Sequence, residues 1–185
     1  MQVTMGSKAV FLDRDGTINI EKGYLYKIAD FEFIPGAKEA LALLANAGYR
    51  LVIVTNQSGV ARGYYTEDDV RTLHDWLQET LAREGAGIAG IYYCPHLPDA
   101  PVEAYRRECG CRKPGLDLFY KAASDLGLDV DRSFAVGDKM HDLQLCLHSG
   151  CSGYLVGNGE TETTLPASVR RVADLLAAAK DIVRG

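Results

Sequence analysis

No stretch of this sequence approaches the roughly 20 consecutive apolar residues that a helix needs to cross a bilayer, so no membrane span is expected. Basic residues are not in surplus either. Lys and Arg number 20 against 25 Asp and Glu, a net charge of −5, and a nucleic-acid partner would require the opposite balance. The first seven residues lack the basic start and long apolar stretch of a secretion signal. Cytoplasmic residence is therefore the default expectation. Cysteines number five, an odd count that, without such a signal, argues against a disulfide framework. Repeats, low-complexity tracts and linkers are lacking too. What remains is 185 residues, 47% hydrophobic and 24% charged, the balance of one soluble globular domain, residues 1–185, with a real core.

Strand and helix signals alternate along the chain. Ala9–Leu12 reads as a buried strand ending in Asp13. Pro35 and Gly36 open a helix whose stripe is Ala37, Ala40, Leu41, Leu44 and Ala45, and Gly48 ends it. Residues 51–54 predict a second strand. Thr66, with Asp69 three residues on, predicts an N-cap for a helix carrying Val70, Leu73, Leu77 and Leu81. Residues 88–93 read as a third strand and 94–114 as irregular. Leu116, Phe119, Ala123 and Leu126 mark the next helix, closed by Gly127. A fourth strand over 133–136, a short helix over 143–148 and a fifth strand over 153–156 follow. Residues 157–166 read as a loop and 168–183 as a last helix. This alternation implies an α/β fold, a doubly wound parallel sheet with helices on both faces.

The segment Phe11-Leu12-Asp13-Arg14-Asp15-Gly16-Thr17 is the most informative. Ligands of open α/β sheets bind beyond the carboxyl ends of the strands, and Asp13 falls at such an end. Phosphoryl transfer needs an oxygen nucleophile, a proton donor for the leaving group and positive charge around the transferred group. A carboxylate can be that nucleophile, forming an aspartyl phosphate. A second carboxylate, Asp15, can serve as acid and then as base, typically for about 10²–10⁴ in rate. Two turn aspartates would be the plain alternative, since Asp and Gly are common in turns.

Three further pieces stand at matching places. Thr55-Asn56-Gln57-Ser58 follows the second strand and offers a hydroxyl and backbone N–H groups to phosphate oxygens. Lys113 offers a point charge. Asp138 and Asp142, after the fourth strand, lie four apart. Magnesium takes carboxylates, waters and phosphate oxygens. Asp13, Asp138 and the carbonyl of Asp15 could bind it directly, with Asp142 holding a metal-bound water. Taken singly, each piece has a bland reading: polar loop, surface lysine, helix cap.

Cys94-Pro95-His96 and Cys109-Gly110-Cys111 form two short arms. Three thiolates and one imidazole are the ligand set of a closed structural zinc site, and the spacing is a strong signal. The stretch between the arms has no apolar face, so zinc would staple the loop 94–111 in place of a core. The metal would then hold Arg112 and Lys113 at the mouth of the site. Cys146 and Cys151 read as small buried residues.

On its four motifs, Asp13 with Asp15, Thr55, Lys113, and Asp138 with Asp142, the chain resembles the haloacid dehalogenase superfamily of phosphatases, over nearly its whole length. The resemblance implies a Rossmann-like core, Asp13 as nucleophile, Asp15 as acid and base, Thr55 and Lys113 around the phosphoryl group, and Mg²⁺ on the acidic pair. The intervals between motifs leave no room for a cap domain. A member without a cap and with a zinc loop resembles two subfamilies, the heptose 1,7-bisphosphate 7-phosphatases and the histidinol-phosphate phosphatases. Asn19, Gly23-Tyr24, Phe31-Glu32-Phe33-Ile34, Tyr92-Tyr93-Cys94-Pro95-His96 and the long interval between the zinc arms favour the first. The run Pro114-Gly115-Leu116 departs from the His-Pro-Gly usual there. The heptose resemblance implies a place in lipopolysaccharide precursor synthesis and a small sugar phosphate as partner. By the same matching, Arg14, Glu21, Lys22, Gly23, Tyr24, Asn56, Gln57, Ser58, Arg112 and Lys139 join Asp13, Asp15, Thr55 and Lys113 as substrate contacts. A monomer is expected. Signalling receiver domains also combine a phosphorylated Asp, a Thr and a Lys, but normally after the third strand.

Overall fold

A computed structural model describes residues 6–157 and 164–185. The first strand, β1 (Ala9–Leu12), is buried along its whole length, and its side chains alternate between two cores. Val10 and Leu12 enter one cluster, with helices α1 (Ala37–Asn46), α2 (Glu67–Arg83) and α5 (Leu175–Arg184) around it. Ala9 and Phe11 enter the other, against α3 (Asp117–Leu126) and α4 (Leu145–His148). Strand β2 (Arg50–Asn56) repeats the pattern, with Leu51 and Ile53 on one side and Val52 and Val54 on the other. A strand buried on both faces needs an unbroken apolar run, which is what these strands carry. Each fully buried Leu, Ile, Val or Phe side chain contributes about 1.5–3 kcal/mol.

The remaining strands are β3 (Ile88–Cys94), β4 (Phe134–Gly137), β5 (Ser152–Val156) and β6 (Val169–Val172). All pairings are parallel, in the order β3-β2-β1-β4-β5-β6. The order reverses direction between β1 and β4, and such a switch point opens a crevice at the carboxyl end of the sheet. Leu12 sits opposite both Ile53 and Val136, and β2 and β4 run on past that level to Asn56 and Gly137, so the ends of the three strands bring Asp13, Thr55 and Asp138 to one rim. Among the described residues, no helix is long and apolar enough to cross a membrane.

The expected last helix over 168–183 is corrected. Its first part is the edge strand β6, and α5 begins only at Leu175. Val169, Val172, Leu176, Ala179 and Val183 are spaced by three and four, so a strand and a helix join in phase and mimic one continuous stripe. Asp174 separates them: its carboxylate accepts from the Ala177 N–H at 2.8 Å and caps the helix. Arg170 and Arg171 put charge on the sheet edge, a common protection against further pairing. The short helix expected over 143–148 starts as a 3₁₀ turn at Met140–Leu143 before α4. Of the loop expected over 157–166, residues 158–163 lie outside the described residues.

Candidate active site

Three carboxylates and one ammonium meet at the switch point. The Asp13 N–H donates to the Val136 carbonyl at 3.0 Å, which ties the end of β1 to β4. Lys113 is buried; its ammonium donates to Asp13 Oδ1 at 2.7 Å and to the Val54 carbonyl at 2.7 Å, and forms an ion pair with Asp142 Oδ1 at 2.6 Å. Asn56 fixes that lysine from behind, since its side-chain amide donates to the Lys113 carbonyl at 3.1 Å and accepts from the Lys113 N–H at 3.0 Å. The peptide bond from Lys113 to Pro114 is cis.

One ammonium cannot neutralise two buried carboxylates equally. Burial, with the charge of Asp142 added, raises Asp13 to about 7 despite Lys113. Burial also acts to raise Asp142, but Lys113 and the hydrogen bond from His141 outweigh it and hold Asp142 down to about 2. Asp142 has further support from the Lys139 N–H, which donates to Oδ2 at 3.0 Å. Burial acts to lower Lys113, but Asp13 and Asp142 hold it above the ordinary lysine value.

The donor set suits a hard divalent cation. Asp13, Asp138 and Asp142 each offer a carboxylate oxygen, all within 4.8 Å of one another. Asp138 Oδ1 is buried with no hydrogen-bond partner, and burial raises this carboxyl to about 6. An orphaned anionic oxygen in such company is what magnesium satisfies. Gly16 makes room for it: at φ 86°, a Cβ there would lie 2.4 Å from Asp138 Oδ2.

Asp15 is held differently. Arg14 Nη2 donates to its Oδ1 at 3.0 Å and Oδ2 at 2.9 Å. Asn19 Nδ2 donates to Oδ1 at 2.9 Å and Gln57 Nε2 to Oδ2 at 3.1 Å. Gln57 Nε2 also donates to Thr55 Oγ1 at 3.0 Å, and Tyr65 donates to Gln57 Oε1 at 2.9 Å.

These groups open onto a cavity of about 410 Å³. Asp13, Asp15, Thr55 and Lys113 stand on its wall, as do Glu21, Gly23, Tyr24, Asn56, Gln57, Ser58, Arg112 and Lys139. Two residues expected as substrate contacts are placed elsewhere. Arg14 has no exposed surface and its guanidinium points behind Asp15. Lys22 turns outward, pairing with Glu32 at 3.0 Å and donating to the Asp30 carbonyl at 2.9 Å. Asn56 borders the cavity, but both ends of its amide are taken by Lys113. Tyr65 and His141 also stand on the wall. His141 lies inside the Asp138–Asp142 motif and could have been named from it, whereas Tyr65 carries no signal in the sequence.

The cysteine arms converge. Cys111 Sγ lies 3.1 Å from Cys109 Sγ and 3.2 Å from Cys94 Sγ. His96 Nδ1 lies 3.3 Å from Cys111 Sγ and 3.6 Å from Cys94 Sγ. Four soft donors this close outline the corners of a tetrahedron, whose edge for a zinc–thiolate site is about 3.8 Å. Arg112 Nη1 donates to the His96 carbonyl at 3.4 Å, which links the cluster to the cavity wall.

A haloacid dehalogenase-like hydrolase family model matches residues 10–73, and a HAD-hydrolase-like model matches residues 110–179. A D-glycero-beta-D-manno-heptose-1,7-bisphosphate 7-phosphatase from Haemophilus ducreyi is 46% identical over 174 residues, 93% of each chain. One from Photorhabdus laumondii is 50% identical over 142 residues, 77% of this chain and 76% of its own. The crystal structure of D,D-heptose 1,7-bisphosphate phosphatase from B. bronchiseptica, complexed with magnesium and phosphate, superposes with a TM-score of 0.83 at 34% identity, covering 96% of this chain and 98% of that one.

Proposed function

The chain belongs to the haloacid dehalogenase-like hydrolases, and from that membership we propose that it removes the 7-phosphate of D-glycero-β-D-manno-heptose 1,7-bisphosphate, the substrate in its relatives' names. The observation that carries the chemistry is the contact of Asp13 with the buried Lys113, 2.7 Å, beside the orphaned oxygen of Asp138. Asp13 attacks phosphorus, the bond from phosphorus to the C7 oxygen breaks, and Asp15 gives its proton to that oxygen. Asp15 then takes a proton from water. The water oxygen attacks phosphorus, the bond to Asp13 breaks, and inorganic phosphate leaves.

Lys113 and the Thr55 hydroxyl hold the phosphoryl oxygens while negative charge shifts among them. Magnesium held by Asp13, Asp138 and the Asp15 carbonyl, with Asp142 on a metal-bound water, would keep Asp13 ionised and offset phosphate charge. Arg112 and Lys139, both on the wall, suit the phosphate that is not cleaved, and Arg112 can grip it with two parallel N–H groups. Zinc in the Cys94, His96, Cys109 and Cys111 cluster is structural, since four protein ligands leave no open position. A cytoplasmic setting keeps those thiols reduced. The reaction supplies heptose for lipopolysaccharide core precursors.

Phosphate release from heptose 1,7-bisphosphate and from histidinol phosphate tests this reading. A preference for the bisphosphate of about 100-fold or more in kcat/KM is expected. The reverse preference overturns the substrate assignment.

A further inference from the structure

Arg14 is among the largest side chains with no exposed surface, yet the chemistry above does not use its guanidinium. A buried charge is costly unless it is paired and hydrogen-bonded. Arg14 Nη2 faces both oxygens of Asp15, the Leu25 carbonyl at 3.0 Å and Gln57 Oε1 at 3.3 Å. Nη1 meets His74 Nε2 at 3.0 Å. His74 lies on the buried face of α2, between Val70 and Leu77, where the stripe otherwise calls for an apolar residue. Arginine can only donate, so Nε2 presents its lone pair and the proton sits on Nδ1. Burial, then the charge of Arg14, lowers His74 to about 3, which keeps the ring neutral and accepting.

We propose that Arg14 and His74 are positioning residues that fix the Asp15 carboxyl in the orientation needed to pass its proton to the leaving oxygen. His74 anchors one end of the guanidinium, and the other end grips both Asp15 oxygens. With Asn19 and Gln57 each taking one of those oxygens, rotation of the carboxyl is blocked on both sides. Proton transfer requires heavy atoms about 2.6–3.2 Å apart, so freedom of the carboxyl lowers the fraction of encounters in which the proton can move. Asp15 stands on the cavity wall, whereas Arg14 and His74 lie behind it and are placed to act only through it.

This inference rests on the proposed acid role of Asp15, and the test separates the two. The quantity kcat/KM ends at departure of the leaving group, so it is blind to the later hydrolysis of the aspartyl phosphate. A sugar alkoxide must be protonated to leave, and p-nitrophenolate need not be. His74→Leu and His74→Met, which remove the acceptor in two packings, are expected to lower kcat/KM for the sugar bisphosphate about tenfold and for p-nitrophenyl phosphate less than about twofold. His74→Gln, which keeps an acceptor, is expected to restore most of the loss. Asp15→Asn should show the same split more strongly. If Asp15→Asn lowers both substrates equally, the acid role fails and the inference falls with it. If Asp15→Asn splits the substrates but the His74 variants lower both alike, or neither, the positioning role alone is overturned.

Discussion

Asp13 and Asp142 share a single ammonium and end up with opposite protonation tendencies, Asp13 raised to about 7 and Asp142 lowered to about 2. The difference follows from what else each oxygen touches: Asp142 also receives the Lys139 N–H and pairs with His141 at 3.2 Å. Asp13 is left as the carboxylate whose charge a cation or a phosphoryl group must stabilise. Asp13→Asn preserves size and an acceptor for Lys113 but removes the nucleophile. Phosphate release should fall by on the order of 10⁴-fold or more, with an unchanged far-UV circular dichroism spectrum. Near-normal release would end the mechanism. The convergence of Asp13, Asp15, Thr55 and Lys113 on one cavity was legible in the sequence because the chemistry expected of them dictates their residue types and spacing. Arg14 and Lys22 do not stand on that cavity's wall, because a position beside a motif says nothing of where a long side chain turns. His74 left a faint trace, a polar residue on an apolar stripe, but its partner lies 60 positions away.

Short elements are placed here by what caps or clips them. The segment 94–111 holds one 3₁₀ turn, Glu103–Tyr105, no α-helix, and no strand beyond the end of β3. The converging side chains of Cys94, His96, Cys109 and Cys111 would, with the proposed zinc bound, staple the segment in place of a core. Arg112 and Lys113 follow at once, so order in the loop is transmitted to the cavity wall. Cys109→Ser should bind less than one zinc per chain, melt roughly 5–10 °C lower, and lose activity as Lys113 moves from Asp13. Elemental analysis with thermal denaturation checks this, and an unchanged zinc content and melting point would remove the structural role. That the two cysteine arms would converge was readable because metal chemistry constrains spacing. The edge strand β6 was not, because Val169 and Val172 continue the helical period of α5, and only the cap at Asp174 marks the break.

At the scale of the whole molecule, an order of strands reversing at β1 and β4 gathers residues as distant as Asp13 and Asp138. The alternation of apolar strands and amphipathic helices made that architecture legible. The cost of gathering charges at one buried rim appears as a dependence of stability on pH. His74, faced by Arg14, Asp15 and the ring of Tyr93, is lowered by burial and by Arg14 from 6.5 to about 3. The unfolded chain therefore binds a proton below pH about 6.5 that the native state refuses, and stability is lost as pH falls through that window. Between pH 7 and pH 5, this one group should remove about 2 kcal/mol. Asp13 and Asp138, raised to about 7 and about 6, act in the opposite sense, since the native state takes up their protons more readily than the unfolded chain. The total slope is thus a partial cancellation, and the histidine is isolated only by difference. His74→Gln keeps the acceptor for Arg14 and does not titrate. Denaturant unfolding of both proteins at pH 7 and pH 5, at one magnesium concentration, should show the wild type losing about 2 kcal/mol more than the variant. Equal losses would mean that His74 is protonated in the native state, and that Arg14 is held at that end by some group other than a neutral imidazole.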